Sequence, residues 1–311
     1  MAVAALLASL VLHHYAPPPP KANLAPQPNF NQICAEVGVA SPACQETTLE
    51  AIDAARRHEG LGSMALPRNW LSLTPAEQLF VITNLERVAR REHPIPGLVA
   101  WLDGVAQAGA LSRADPALPQ PAAPYVSIWA ETVSPLASDY GWMYADGYGG
   151  PIGTTNLDCR SAGAPGCWGH RNNILAEWSR TLLAHRTGTW YPVAGAAQIP
   201  IAPPPGTNAQ PEVSDAMIVT AVPYPPEYVY TWAQAVAAGA GTAHGTQSIG
   251  NSLWTHPLLV ASWAWVRAHA AAVLAVLAAM VLMIRARRGP ARRLSKKKRT
   301  VKVHDISRYR R

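Results

Sequence analysis

Apolar residues at helical spacing organise the first half of the chain. Thr47 or Thr48 can cap a helix with Glu50 in its first turn, and Leu49, Ile52 and Ala55 or Arg56 follow at helical intervals. A stronger start lies at Ser72-Leu73-Thr74-Pro75-Ala76-Glu77, where Thr74 is the N-cap, Pro75 the first helical residue and Glu77 the reciprocal partner of a capping box. Leu79, Ile82, Leu85, Glu86 and Val88-Ala89 then mark one face until His93-Pro94 breaks the pattern. A third helix is predicted over 97–111, with Leu98, Trp101, Leu102, Val105 and Ala106 on its buried side. Beyond Pro116 the texture changes. Residues 147–166 read as turns and 171–183 as a short helical stretch, while 193–199, 216–222 and 228–235 read as strands. Helices first and strands last predict an α+β domain, an αβα sandwich, rather than alternating βαβ units. No internal repeat is present.

The two ends read differently. Residues 1–15 contain the apolar run Ala2 to Leu12, the size of a signal-peptide core, with no Lys or Arg before it. It is a weak signal, a start site placed too late, or an N-terminal stub. Residues 16–46 are Pro-rich and carry the first cysteine pair, a linker reading. Residues 236–256 are an Ala- and Gly-rich spacer. In the 257–284 segment the 17 residues that lie between Arg267 and Arg285 are uncharged, and Trp254 just before the segment, with Trp263 and Trp265 inside it, stand where an interfacial aromatic belt falls. About 20 residues cross a bilayer, so one C-terminal transmembrane helix is expected.

Charge sharpens this picture. Residues 285–311 hold 13 of the 26 basic side chains and one of the 19 acidic ones, so the tail carries +12 and the remainder −5. The tail is expected in the cytoplasm, held against anionic lipid, with the preceding domain outside the cell membrane. Its KKKR run also has the look of a nuclear localisation or nucleic-acid patch; the adjoining apolar segment favours lipid, and no nucleic-acid partner is expected. The four cysteines allow three connectivities. Short loops favour Cys34–Cys44 and Cys159–Cys167, and disulfides imply an oxidising compartment. Abundant Ala and Pro, with Arg in excess of Lys in the body, is the composition of a high-GC bacterial genome.

Asn84-Leu85-Glu86-Arg87 followed by Pro94-Ile95-Pro96-Gly97-Leu98, and Trp142-Met143-Tyr144 followed by Gly169-His170-Arg171-Asn172-Asn173-Ile174-Leu175, resemble the N-x-E-R and W-M…G-H-R-x-N-I-L strings of bacterial CAP-superfamily domains (cysteine-rich secretory proteins, antigen 5, pathogenesis-related 1). A disulfide-bracketed insertion separates the halves of the second string. The resemblance covers 47–235 and implies an αβα sandwich outside the cell. It also implies a cleft lined by two His and two acidic residues, able in some members to hold a divalent metal. Here His170 is the histidine of that string. The family's G-E-N-I-A string falls on Val126-Ser127-Ile128-Trp129-Ala130, which puts Ser127 in place of its Glu, with Glu131 four residues on. Ala145 takes the other acidic position, with Asp146 beside it, and no histidine occurs between His93 and His170.

The chemistry available to this cleft is therefore reduced. Zinc takes three or four fixed ligands, and His170 with two displaced carboxylates supplies a poor set, so no cofactor is expected. At a helix start, the dipole keeps His170 neutral, free to accept a proton or to hydrogen-bond Glu131 or Tyr144. His58 and His185 read as lone helix-face histidines. No G-x-S-x-G elbow or H-E-x-x-H string occurs. The preferred reading is a membrane-anchored, non-enzymatic CAP-like domain that binds a lipid, glycan or protein partner. The alternative is a cell-wall or peptide hydrolase using His170 with Glu131 or Asp146.

Overall fold

The structure, a computed structural model, describes residues 18–119, 124–177, 187–207 and 210–242. The chain divides into units of 1–252 and 253–311, and every described residue belongs to the first. The apolar N-terminal run, His185, most of the spacer, the 257–284 segment and the basic tail lie outside the described residues. Among the described residues no helix is long and apolar enough to cross a membrane.

The domain is mixed α+β around a five-stranded sheet of order β2-β4-β3-β1-β5. In chain order the elements are α1 (Phe30–Val37), α2 (Pro42–His58), α3 (Pro75–Ala89), β1 (Gly97–Leu98), α4 (Ala100–Ser112), β2 (Val126–Thr132), α5 (Pro135–Tyr144), α6 (Gly169–Ile174), β3 (Tyr191–Ile201), β4 (Glu212–Val222), β5 (Tyr230–Thr231) and α7 (Trp232–Ala237). β4 pairs antiparallel with both β2 and β3. β1 runs parallel to β3 and antiparallel to β5.

Helices cover both sheet faces, because alternate strand residues point to opposite sides. Met217, Val219, Ala194 and Ala196 join α2, α3, α5 and α6 in the larger core, while Ile218, Val222 and Val193 meet Val99, Leu102 and Ala106 on the α4 side. Gly195 permits the second contact: a Cβ there would overlap the Leu102 backbone. β4 is buried along most of its length, as a strand covered on both faces must be.

Several local expectations hold. Thr74 and Glu77 form the capping box at α3 with Pro75 inside it, and the bridges are Cys34–Cys44 and Cys159–Cys167. Others are corrected. α2 begins at Pro42, with Ser41 as the N-cap accepting the Cys44 N–H. Thr47 and Thr48 instead donate to the carbonyls of Ala43 and Cys44 one turn back. The predicted third helix loses its start to β1, and Trp101 is 47% exposed because α4 turns Leu102 and Ala106 toward the sheet. The 228–235 strand shrinks to two residues. There a capping box of Thr231 with Gln234 starts α7, a signal the strand reading passed over. The 16–46 segment does not hang free where it is described: Leu24 N–H donates to the Tyr144 carbonyl, and Tyr140 Oη donates to that of Leu24.

One interior feature ties the helices together. Glu86 of α3 is fully buried and pairs with Arg56 of α2 and with Arg90, the C-cap of α3, and it accepts from Tyr144 Oη at 2.9 Å. Glu59, at the end of α2, pairs with Arg90 at 2.8 Å and with Arg171 of α6 at 3.0 Å. Burial works against a charged Glu86, yet the charges of Arg56 and Arg90 and the hydrogen bonds from Arg90 and Tyr144 hold it at about 2. Asp139, also buried, is pushed well up by burial and by the Glu86 charge. Removing one member of such a network strands buried partners. Glu86→Gln is expected to cost about 3–5 kcal/mol in denaturant unfolding; a loss below about 1 kcal/mol contradicts the network's role.

Candidate functional site

α5 starts on Ser134, whose hydroxyl accepts the Ala137 N–H, with Pro135 as the first helical residue. Its end delivers Asp146 into the connection to α6. Trp168 holds the N-cap position of α6 in a left-handed conformation, φ 61° and ψ 22°, and offers no side-chain cap. Asp146 fills that role from outside. Its Oδ2 accepts the His170 N–H at 2.8 Å and the Arg171 N–H at 3.3 Å, a carboxylate placed on otherwise orphaned helix donors. Gly147 makes room for Trp168, because a Cβ there would overlap the indole. Asn156 Nδ2 donates to Asp146 Oδ1 at 2.6 Å and to the Gly166 carbonyl at 2.8 Å, which ties the loop closed by Cys159–Cys167 to Asp146.

His170 lies between two carboxylates. Its Nδ1 is 2.7 Å from Asp146 Oδ1, and its Nε2 is 3.5 Å from Asp115 Oδ1. A carboxylate side chain therefore faces each ring nitrogen, the inner one at hydrogen-bond distance and the outer one at ion-pair distance, an arrangement that favours the ring protonated at both nitrogens. Burial opposes the imidazolium, but the hydrogen bonds to Asp115 and Asp146 and their charges outweigh it and raise His170 to about 10. This corrects the neutral ring expected from the helix dipole: in a helix of six residues, two adjacent full charges exceed a partial one.

The remaining sequence candidates are placed as follows. Asp146 meets His170. Glu131 is held in an ion pair with Arg113, whose Nε donates to it at 2.9 Å, and is not a partner of His170. Tyr144 turns inward to Glu86 and Arg90. Ser127 gives its carbonyl to Asn173 Nδ2 at 2.9 Å. It also lines, with Thr83, Ile95, Ile174 and Met217, a small apolar cleft. Arg171 is buried, donating to the Met143 carbonyl at 2.7 Å. Asn172 and His58 are exposed. Asp115 and Asn156 escaped the sequence reading, since neither stands in a recognisable string. Among the described residues, no three or more His, Cys, Asp or Glu side chains gather where they could hold a metal ion.

No protein-family model matches the chain, and comparison with curated proteins and with solved structures yields no match.

A group whose folded value is raised favours the native state while it is protonated. The contribution of His170 is therefore full below its ordinary 6.5 and is lost as pH climbs through about 10. Asp146→Asn is expected to bring the His170 titration, followed by NMR, back toward that ordinary value; an unmoved midpoint contradicts the pairing.

Proposed function

We propose that the chain carries a CAP-like αβα domain at the outer face of a cell membrane, where the His170 region recognises a lipid, glycan or protein ligand rather than catalysing a reaction. The observation that carries the non-catalytic reading is the imidazole between Asp146 and Asp115. A ring protonated at both nitrogens has no lone pair with which to take a proton or bind a metal. No Ser or Cys nucleophile is bonded to His170 among the described residues.

The likeness to CAP domains is supported by where the two quoted strings sit. Arg87 of the first donates to the carbonyls of Ile174, in the second, and of Ala176 just beyond it. Asn84 brackets Ile95, accepting its N–H at 2.7 Å and donating to its carbonyl at 3.1 Å. Helices on both sheet faces agree with an αβα arrangement. The membrane anchor and cytoplasmic tail rest on the abrupt change from apolar to basic sequence at Arg285.

One observation favours the second reading, a cell-wall or peptide hydrolase: Asp146 at 2.7 Å from Nδ1 is the geometry of a base and its orienting carboxylate. With Glu131 engaged by Arg113, that reading reduces to His170 and Asp146.

The readings separate in two assays. Purified full-length protein is expected to show no turnover of peptidoglycan or of a peptide library, whereas turnover lost in His170→Ala installs the hydrolase. For the anchor, protease treatment of intact cells is expected to remove the portion before Trp254 from a protein found in the membrane fraction. A soluble protein untouched by the protease contradicts it.

A further inference from the structure

The two carboxylates that face His170 are unequal. Asp146 is 2% exposed and its carboxylate is already engaged by Nδ1, by the backbone N–H groups of His170 and Arg171, and by Asn156. Its departure would strand buried donors, so it stays. Asp115 follows α4 on the surface, 47% exposed, and its Oδ1 is 3.5 Å from Nε2. Charge-assisted N–H···O bonds close to about 2.7–2.9 Å, so the outer contact is a loose one. The ring itself is 19% exposed, and Nε2 is its outward donor.

We infer that Asp115 is a displaceable cover and that the Nε2–H of His170 is the point at which this cleft takes an oxyanion, a carboxylate or phosphate group carried by its ligand. The inference rests on the reading of the His170 region as a recognition site and names the chemistry it recognises. A ligand at Nε2 must be a hydrogen-bond acceptor, because the nitrogen is a donor. An oxyanion that replaces Asp115 exchanges one carboxylate-like partner for another, so the imidazolium keeps a counter-charge throughout and Asp115 passes into water. A cation would have to expel a proton that two carboxylates retain. Asp146 supplies the fixed half of the site: by bonding Nδ1 and capping α6 together, it sets both the ring's orientation and the position of the helix that bears it.

The test follows the His170 ring nitrogens by NMR in the full-length protein at neutral pH, titrated separately with inorganic phosphate and with acetate. A saturable shift at Nε2 is expected, and its relative size with the two anions tells phosphate from carboxylate. Vesicles of phosphatidylcholine with and without phosphatidylglycerol then distinguish a lipid phosphate from a free one. Because the readout is local, adhesion by the basic tail does not register. Asp115→Ala, a surface change that leaves the fold intact, removes the internal competitor and is expected to tighten binding about fivefold or more. His170→Gln removes binding. Silence at Nε2 toward both anions, or an affinity unchanged in Asp115→Ala, overturns the inference. If the hydrolytic assays are silent as well, recognition by other chemistry still stands; turnover dependent on His170 removes the recognition reading itself.

Discussion

Charge buried in pairs is the constraint on which the domain's arrangement depends. Glu86 sits out of reach of water between α2, α3 and α5, and a carboxylate there persists only if cations and donors surround it. Arg56, Arg90 and Tyr144 meet that demand, and each comes from a fixed place on a helix. Glu59 then carries the network onward to Arg171, so the short helix α6 is held by an ionic contact as well as by apolar packing of Ile174 and Leu175. Arg87 fastens the far end of the same helix through two carbonyls. A helix of six residues has little stability of its own, and these tertiary bonds supply what propensity cannot.

The site inherits its geometry from that frame. Arg171 faces inward to Glu59 and Met143, and its neighbour His170 lies partly exposed. Asp146 then joins the two levels, capping α6 and holding the ring. The disulfide loop contributes through Asn156, which gives the second bridge a structural consequence at the imidazole.

What the sequence made legible was local. The Thr74–Glu77 box and the two short-range bridges depend on residues a few positions apart, and the structure has them, whereas α3 is buried on every side from Leu79 to Arg87 rather than on one face. Even the odd placement of Glu86 among apolar positions pointed inward correctly. Where two local signals competed, the reading went astray: Ser41-Pro42 outranks Thr47 as a helix start, and Thr231 with Gln234 converts an apparent strand into α7. β2 and α5 were not resolved as elements because the turn-rich texture after Pro116 obscured them. The partners of His170 were half visible. Asp146 lies next to a recognisable string, whereas Asp115 is brought up by the packing of α4 on the sheet, which no spacing announces. The ring's protonation depends on that second carboxylate, so the helix dipole alone predicted the wrong state.

The buried charges fix α6 and thereby the imidazole. A double-mutant cycle in the full-length protein, combining Glu59→Gln with His170→Ala and read by denaturant unfolding, tests it most directly. A coupling of about 0.5 kcal/mol or more is expected, because loosening Arg171 releases the helix that presents His170. Two effects that simply add would show that the ionic core and the imidazole are independent, and would contradict it.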